Sequence, residues 1–167
     1  MNIAILYGTE TGNAEMLADD VATELGGAQD TSVSSLADID PDTLRGTDLN
    51  IILCSSYGDG DLPASAKPFA QKIETGKPDL SGVNFAIFGL GDSEYHATYG
   101  SGSMRLADML VQCGATEAPL LRSGSMVVIL LQVKDPNTTL SQSAFFPAYN
   151  YPKTRAIPAC TLSSAGR

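Results

Sequence analysis

The residues best suited to chemistry lie in short polar loops, the first of which is Gly8-Thr9-Glu10-Thr11-Gly12-Asn13. It offers two threonine hydroxyls, an asparagine amide and successive backbone N–H groups at the start of a predicted helix, which together can hold a phosphate group. The loop matches neither the Gly-Lys-Ser/Thr ending of a triphosphate-binding loop nor the Gly-x-Gly-x-x-Gly pattern of dinucleotide sites. We therefore predict a monophosphate site, with a polar turn capped by Asn13 as the alternative.

Two further loops each combine glycines, acidic residues and a tyrosine. They are Ser55-Ser56-Tyr57-Gly58-Asp59-Gly60-Asp61 and Gly89-Leu90-Gly91-Asp92-Ser93-Glu94-Tyr95. Glycines allow the backbone to approach a planar ligand closely, and a tyrosine ring can stack on it. Tyr57 and Tyr95 could thus enclose a flat ring between them. The alternative for the first of these two loops is a tight turn in which Tyr57 is half buried.

The segments between the loops predict alternating strands and helices. Four stretches are typical of strands, namely 2–7, 30–34, 51–54 and 83–88. Four others predict helices, namely 13–25, 40–45, 64–75 and 104–112. This alternation favours a parallel, doubly wound sheet covered on both faces, in which ligands bind beyond the carboxyl ends of the strands. Because all three loops follow predicted strands, we expect them to converge on one site.

The chain resembles a flavodoxin-like FMN domain of the short-chain flavodoxin and diflavin-reductase branch. The matching stretches are Tyr-Gly-Thr-Glu-Thr-Gly-Asn-Ala-Glu at 7–15, Ser-Ser-Tyr-Gly-Asp-Gly-Asp-Leu-Pro at 55–63 and Phe-Gly-Leu-Gly-Asp-Ser-Glu-Tyr at 88–95. The resemblance covers residues 1–121. It implies an α/β fold with a five-stranded parallel sheet in the order 2-1-3-4-5, a fifth strand within 117–121 and FMN as the cofactor.

The resemblance also implies where FMN is held. Thr9 to Asn13 would bind the 5′-phosphate, Tyr57 and Tyr95 would flank the isoalloxazine ring, and the backbone around Gly58 would meet its N5 edge. The implied cofactor-binding residues are Thr9, Glu10, Thr11, Gly12, Asn13, Ser55, Ser56, Tyr57, Gly58, Asp59, Gly60, Leu90, Gly91, Asp92, Tyr95 and Tyr99. No catalytic residue and no metal site are expected.

The acidic character of the chain bears on its electron chemistry and its partners. Nearby carboxylates disfavour the negative charge of a reduced flavin. We expect such carboxylates from Asp59, Asp61, Asp92 and Glu94. We therefore predict a low reduction potential for the addition of the second electron. The net charge of −9 favours redox partners with basic surfaces and disfavours nucleic acid and anionic membranes. The chain begins without the pattern of a signal peptide, so we expect it in the cytoplasm. We also expect a monomer.

Three functions are alternatives to that of a one-electron carrier. The first is an FMN-dependent NAD(P)H quinone or azo reductase, and the second is the FMN half of a larger diflavin reductase. The third is a receiver-type signalling domain with the same order of elements. A receiver requires paired acids after the first strand and a phosphoacceptor Asp after the third, where this chain has Tyr7-Gly8-Thr9-Glu10 and Ser55-Ser56-Tyr57. The receiver is therefore disfavoured.

The composition changes near Arg122. Residues 1–121 carry 18 acidic and 5 basic residues, whereas 122–167 carry one acidic and 5 basic residues. We predict a flavodoxin-like FMN-binding domain at 1–121 and an atypical tail at 122–167 that is out of frame, spliced or disordered, with a lineage-specific extension as the alternative. The tail does not show the expected closing helix. Without that helix one face of the sheet would be uncovered, and we expect this face to carry Ile51, Leu53, Phe85 and Ile87.

Overall fold

The computed structural model describes residues 1–25, 30–90 and 100–118, together with the backbone of 120–123, 126–129 and 144–147. Its main sheet contains β1 (Asn2–Gly8), β2 (Asp30–Ser35), β3 (Leu49–Ser55), β4 (Asn84–Leu90) and β5 (Thr116–Glu117). The helices are α1 (Asn13–Leu25), α2 (Lys67–Gly76) and α3 (Ser101–Gln112), with a 3₁₀ turn at Pro41–Gly46. None of the described helices has the length and apolar character needed to cross a membrane.

The five strands run parallel in the order β2-β1-β3-β4-β5, which confirms the predicted fold class. The central strands are almost continuously apolar because both faces of the sheet are covered. Helix α1 buries Leu17, Val21 and Leu25 at a spacing of four residues, so that one stripe of the helix meets the sheet. Helices α2 and α3 cover the opposite face, so the carboxyl edge of the sheet is left for the loops.

The expectation that Ile51, Leu53, Phe85 and Ile87 share one face is wrong. Ile51 and Leu53 pack in the cluster on the α1 side, whereas Phe85 and Ile87 pack in the cluster beneath α2 and α3. The cause is the register, in which Ile51 lies opposite Ala86 rather than Phe85. Successive side chains point to opposite faces, so a shift of one residue exchanges the two faces. All four side chains are buried.

The fifth strand also differs from the prediction of 117–121. Thr116 and Glu117 pair with Asn84 and Phe85 on β4, while Leu120–Ser123 forms β6 of a separate antiparallel sheet. That sheet also contains β7 (Met126–Ile129) and β8 (Ala144–Pro147). β5 lies at the edge of the sheet and needs only backbone pairing on one side. Both of its residues are polar, so the apolar pattern that predicts strands did not identify it. The predicted boundary at residue 121 falls within β6, and the division into two units, like the nature of the tail, stays a prediction.

A buried asparagine connects three elements beneath the sheet. Asn50 on β3 is completely buried, and its Nδ2 donates to the carbonyl of Leu44 over 3.0 Å and to that of Asn84 over 3.2 Å. Its Oδ1 accepts a hydrogen bond from the hydroxyl of Thr47 over 3.0 Å. Both ends of the amide are thus engaged, which offsets the cost of removing it from water.

Candidate cofactor-binding site

The carboxyl edge of the sheet brings the first two predicted loops together. We call residues 9–13 the phosphate loop and residues 55–61 the ring loop. The Ser55 hydroxyl donates to the carbonyl of Gly8 over 3.2 Å, and the Ser56 N–H donates to the carbonyl of Leu90 over 2.8 Å. The ring loop is therefore fixed between the ends of β1 and β4, as expected for a site beyond the carboxyl ends of parallel strands.

The phosphate loop and the adjoining start of α1 present backbone donors that have no acceptor among the described residues. The N–H groups of Thr11, Asn13 and Ala14 make no hydrogen bond within that part of the chain, and the first bond into α1 runs from the N–H of Met16 to the carbonyl of Gly12 over 3.0 Å. Free N–H groups at a helix start carry partial positive charge and suit an anion. This donor set fits a phosphate.

The side chain of Thr9 shapes the same loop. Its hydroxyl oxygen accepts the N–H of Gly12 over 2.8 Å, which leaves the hydroxyl proton available for a ligand oxygen. Gly12 has a φ of +92°, a conformation that other residues adopt at a cost. The Glu10 carboxylate accepts a hydrogen bond from the N–H of Ala64 over 2.6 Å, so this side chain is oriented toward Ala64.

The ring loop is a tight turn that displays one aromatic side chain. Tyr57 and Asp61 exchange two backbone hydrogen bonds of 3.0 and 2.9 Å, and the positive φ angles of Gly58 and Gly60 allow the chain to reverse between them. Tyr57 is 55% exposed, so its ring is available to cover a planar ligand. Asp59 and Asp61 are also exposed, so the same turn carries two exposed carboxylates.

Part of the predicted site lies outside the described residues. Leu90 ends β4 and is partly buried, but Gly91, Asp92, Tyr95 and Tyr99 fall within 91–99. Their proposed contacts with the pyrimidine end and the second face of the ring stay predictions. The structure thus brings together the phosphate-loop and ring-loop members of the predicted set.

Two residues that support these loops could not be identified from the sequence. Ser65 accepts the N–H of Thr9 over 2.7 Å and donates to the carbonyl of Thr9 over 2.9 Å. Gly102 in α3 donates its N–H to the hydroxyl of Ser56 over 3.3 Å. Neither residue lies in one of the matching stretches. The only available signal was the position of Ser65 after Pro63, where turns commonly recruit hydroxyl groups.

Two titratable side chains lie near the carboxyl ends of β1 and β3. The pKa of Tyr7 is raised, chiefly by its partial burial. The hydrogen bond to the Glu15 carboxylate and the nearby charges of Asp38 and Asp19 add to this increase. Burial raises the pKa of the Cys54 thiol to about 12. Both groups therefore stay protonated and uncharged at neutral pH. Among the described residues, no group of three His, Cys, Asp or Glu side chains could hold a metal ion.

Comparisons with known proteins agree with this geometry. The flavodoxin family model matches residues 5–143. The chain is 38% identical over 121 residues to NADPH-dependent diflavin oxidoreductase 1 of Emericella nidulans, covering 68% of this chain and 18% of that protein. It is 31% identical over 100 residues to protein MioC of Escherichia coli O157:H7, covering 60% of this chain and 67% of that protein.

Solved structures give the same result. Oxidised flavodoxin 1 from Bacillus cereus superposes with a TM-score of 0.62 at 26% identity, covering 71% of this chain and 80% of the flavodoxin. The free amides of the phosphate loop and the exposed ring of Tyr57 fit a phosphate and a flat ring system, which are the two ends of FMN. The chain belongs to the flavodoxin family, and this membership implies FMN as its cofactor.

Proposed function

We propose that this chain binds FMN and carries single electrons between redox proteins. The observation that supports this most strongly is the set of N–H groups at Thr11, Asn13 and Ala14, which have no acceptor among the described residues and lie at the same sheet edge as the exposed ring of Tyr57. FMN, when bound, supplies a group that accepts and releases electrons one at a time. The protein supplies the binding, the orientation and the local electrostatics.

Each loop has its own part in this function. The free amides and the hydroxyls of Thr9 and Thr11 would hold the phosphate, and Tyr57 would cover one face of the ring and exclude water from it. Asp59 and Asp61 would make added negative charge on the ring less favourable. Both carboxylates are exposed, so solvent and salt reduce their effect.

The redox partners are proposed to present basic surfaces to this edge. Glu10, Asp59 and Asp61 are exposed there, within a chain of net charge −9. Opposite charges speed the encounter of two proteins and orient it, and the effect weakens as salt is added. We further propose a monomer in the cytoplasm, whose reducing conditions suit the free thiols of Cys54 and Cys113.

A second candidate is that this domain works as the FMN-binding part of a larger reductase. It is favoured by the 38% identity to a diflavin oxidoreductase of which the chain spans only 18%. In that case an antibody raised against residues 1–118 would detect a polypeptide well above 17.4 kDa in the source cells. A band at 17.4 kDa alone would contradict this candidate.

The carrier function is tested with the FMN-loaded chain, reduced chemically without oxygen and mixed with cytochrome c as a basic electron acceptor. We expect rapid electron transfer that slows as ionic strength rises, and a weaker salt dependence in the double variant Asp59→Asn/Asp61→Asn. Glu24→Gln, near the opposite end of α1, is the matched control and should behave like the parent. Steady NADPH oxidation by the FMN-loaded chain alone would instead support a quinone or azo reductase.

A further inference from the structure

A single hydroxyl holds both backbone groups of Thr9. The Ser65 hydroxyl oxygen accepts the Thr9 N–H over 2.7 Å, and the same hydroxyl donates to the Thr9 carbonyl over 2.9 Å. Strand β1 ends at Gly8, so Thr9 lies just beyond the strand pairing that would otherwise engage these groups. Ser65 therefore replaces a pairing partner at the point where the chain leaves the sheet.

The neighbours of Ser65 contact the neighbours of Thr9. The Ala64 N–H donates to the Glu10 carboxylate over 2.6 Å. On the other side, Gly8 lies so close to Ala66 that an added Cβ on Gly8 would stand 2.9 Å from the Cβ of Ala66. Each residue of 64–66 thus contacts one residue of 8–10, with the two segments running in opposite directions. We call residues 64–66 the latch segment.

The latch segment is itself fixed in the core. Leu62, Pro63 and Ala66 are buried, and the Ala66 N–H donates to the Pro63 carbonyl over 2.9 Å, which closes a turn. The segment connects the ring loop, which ends at Asp61, to helix α2. It can therefore act as a rigid support for the phosphate loop.

The constraint on Thr9 passes on to the start of α1. The Thr9 hydroxyl accepts the Gly12 N–H over 2.8 Å, and the Gly12 carbonyl accepts the Met16 N–H over 3.0 Å. A continuous series of hydrogen bonds thus leads from Ser65 through Thr9 and Gly12 to the helix. The N–H groups of Thr11, Asn13 and Ala14 lie between Thr9 and Met16, within the stretch that this series spans.

We propose that Ser65 and Glu10 are positioning residues that set the phosphate loop in its binding conformation without contacting the ligand. This inference rests on the proposed function, because it assumes that the loop receives the phosphate of FMN. Preorganised donors bind more tightly than donors that must be ordered on binding. The latch segment should therefore affect the affinity for the phosphate of FMN and leave the contribution of the ring unchanged.

The experiment titrates the apoprotein with FMN and with riboflavin, which lacks the phosphate, and follows flavin fluorescence. For Ser65→Ala we expect the Kd for FMN to rise about tenfold, as expected for the loss of such hydrogen bonds, and the Kd for riboflavin to change less than about twofold. Ser65→Thr keeps a hydroxyl and should restore FMN binding. Thr75→Ala is the control, because its exposed hydroxyl donates within α2, to the carbonyl of Gln71, and makes no other bond to the described residues.

Glu10 provides a second pair of variants. Glu10→Ala removes the acceptor for the Ala64 N–H and should weaken FMN binding in the same selective way, whereas Glu10→Gln keeps an acceptor oxygen and should retain most of the affinity. Amide hydrogen exchange of Gly12 in the apoprotein gives a readout that needs no flavin. It should become faster in Ser65→Ala and stay unchanged in Thr75→Ala.

The outcomes separate this inference from the proposed function. If the parent retains FMN and Ser65→Ala binds it equally well, or weakens FMN and riboflavin to the same extent, the positioning role is wrong while the proposed function stands. Unchanged Gly12 exchange in Ser65→Ala would contradict the inference without reference to any flavin. A parent chain that binds neither flavin would overturn the proposed function and, with it, the role of the latch segment in phosphate binding.

Discussion

Gly102, in the first turn of α3, lies directly against the backbone of Asp61 in the ring loop. A Cβ added to Gly102 would stand 2.9 Å from the carbonyl oxygen of Asp61 and 3.2 Å from its carbon. The Gly102 N–H also donates to the hydroxyl of Ser56 over 3.3 Å. The absence of a side chain at position 102 therefore allows the helix and the ring loop to meet.

Gly102→Ala should displace the ring loop, because the conflicting atoms belong to backbone and cannot rotate away. We expect the Kd of the apoprotein for FMN to rise by roughly tenfold, in line with the cost of overpacking a tight contact. Fluorescence titration with FMN measures this change. Gly46→Ala is the matched control, because its Cβ would meet no atom of the described part of the chain within 4 Å and its φ is not positive. Equal affinities in the two variants would contradict the close contact.

Asn50→Ala should destabilise the fold by about 1–3 kcal/mol, because the carbonyls of Leu44 and Asn84 would lose a buried donor. Urea unfolding of the apoprotein measures the change. Asn2→Ala is the control, since that side chain is exposed and its substitution should stay within about 0.5 kcal/mol. A loss of less than about 0.5 kcal/mol in Asn50→Ala would show that the buried amide does not connect these elements.

Cys54 should resist alkylation in the native protein. Burial raises its pKa to about 12 from a usual value near 9, so the reactive thiolate is scarce at pH 8 and increases only as the pH approaches 12. Peptide mass spectrometry after iodoacetamide treatment should find Cys113, which is partly exposed, modified well before Cys54. Both should react in guanidinium chloride. Rapid native labelling of Cys54 would mean that the β3 end opens readily.

The parallel, doubly wound sheet could be predicted because the apolar runs and the loops repeat in a regular alternation, whereas the strand order β2-β1-β3-β4-β5 was implied only by the resemblance to flavodoxin-like domains. Helix α1 was found at its observed bounds of Asn13–Leu25, since its apolar residues recur at the helical period. The face of the sheet to which Phe85 points could not be predicted. That face depends on the register between β3 and β4, and a shift of one residue moves the side chain to the other face. A single sequence carries no direct signal for that register.

The candidate site was predictable to the extent that its residues lie within the loops themselves. Thr9, Gly12 and Tyr57 were identified from their own types and positions, and the structure places them at the predicted edge. Ser65 and Gly102 support these loops from other parts of the chain. Their roles arise from tertiary contacts with backbone groups, which neither residue type nor periodicity reveals.

The most direct test of the account is the absorbance spectrum of the purified chain after addition of FMN and removal of the excess on a desalting column. We predict flavin bands that remain with the protein at about one FMN per chain, together with poor retention of riboflavin under the same conditions. This result follows from a site in which free backbone donors hold the phosphate. A folded protein that emerges colourless, or that retains both flavins equally, would contradict it.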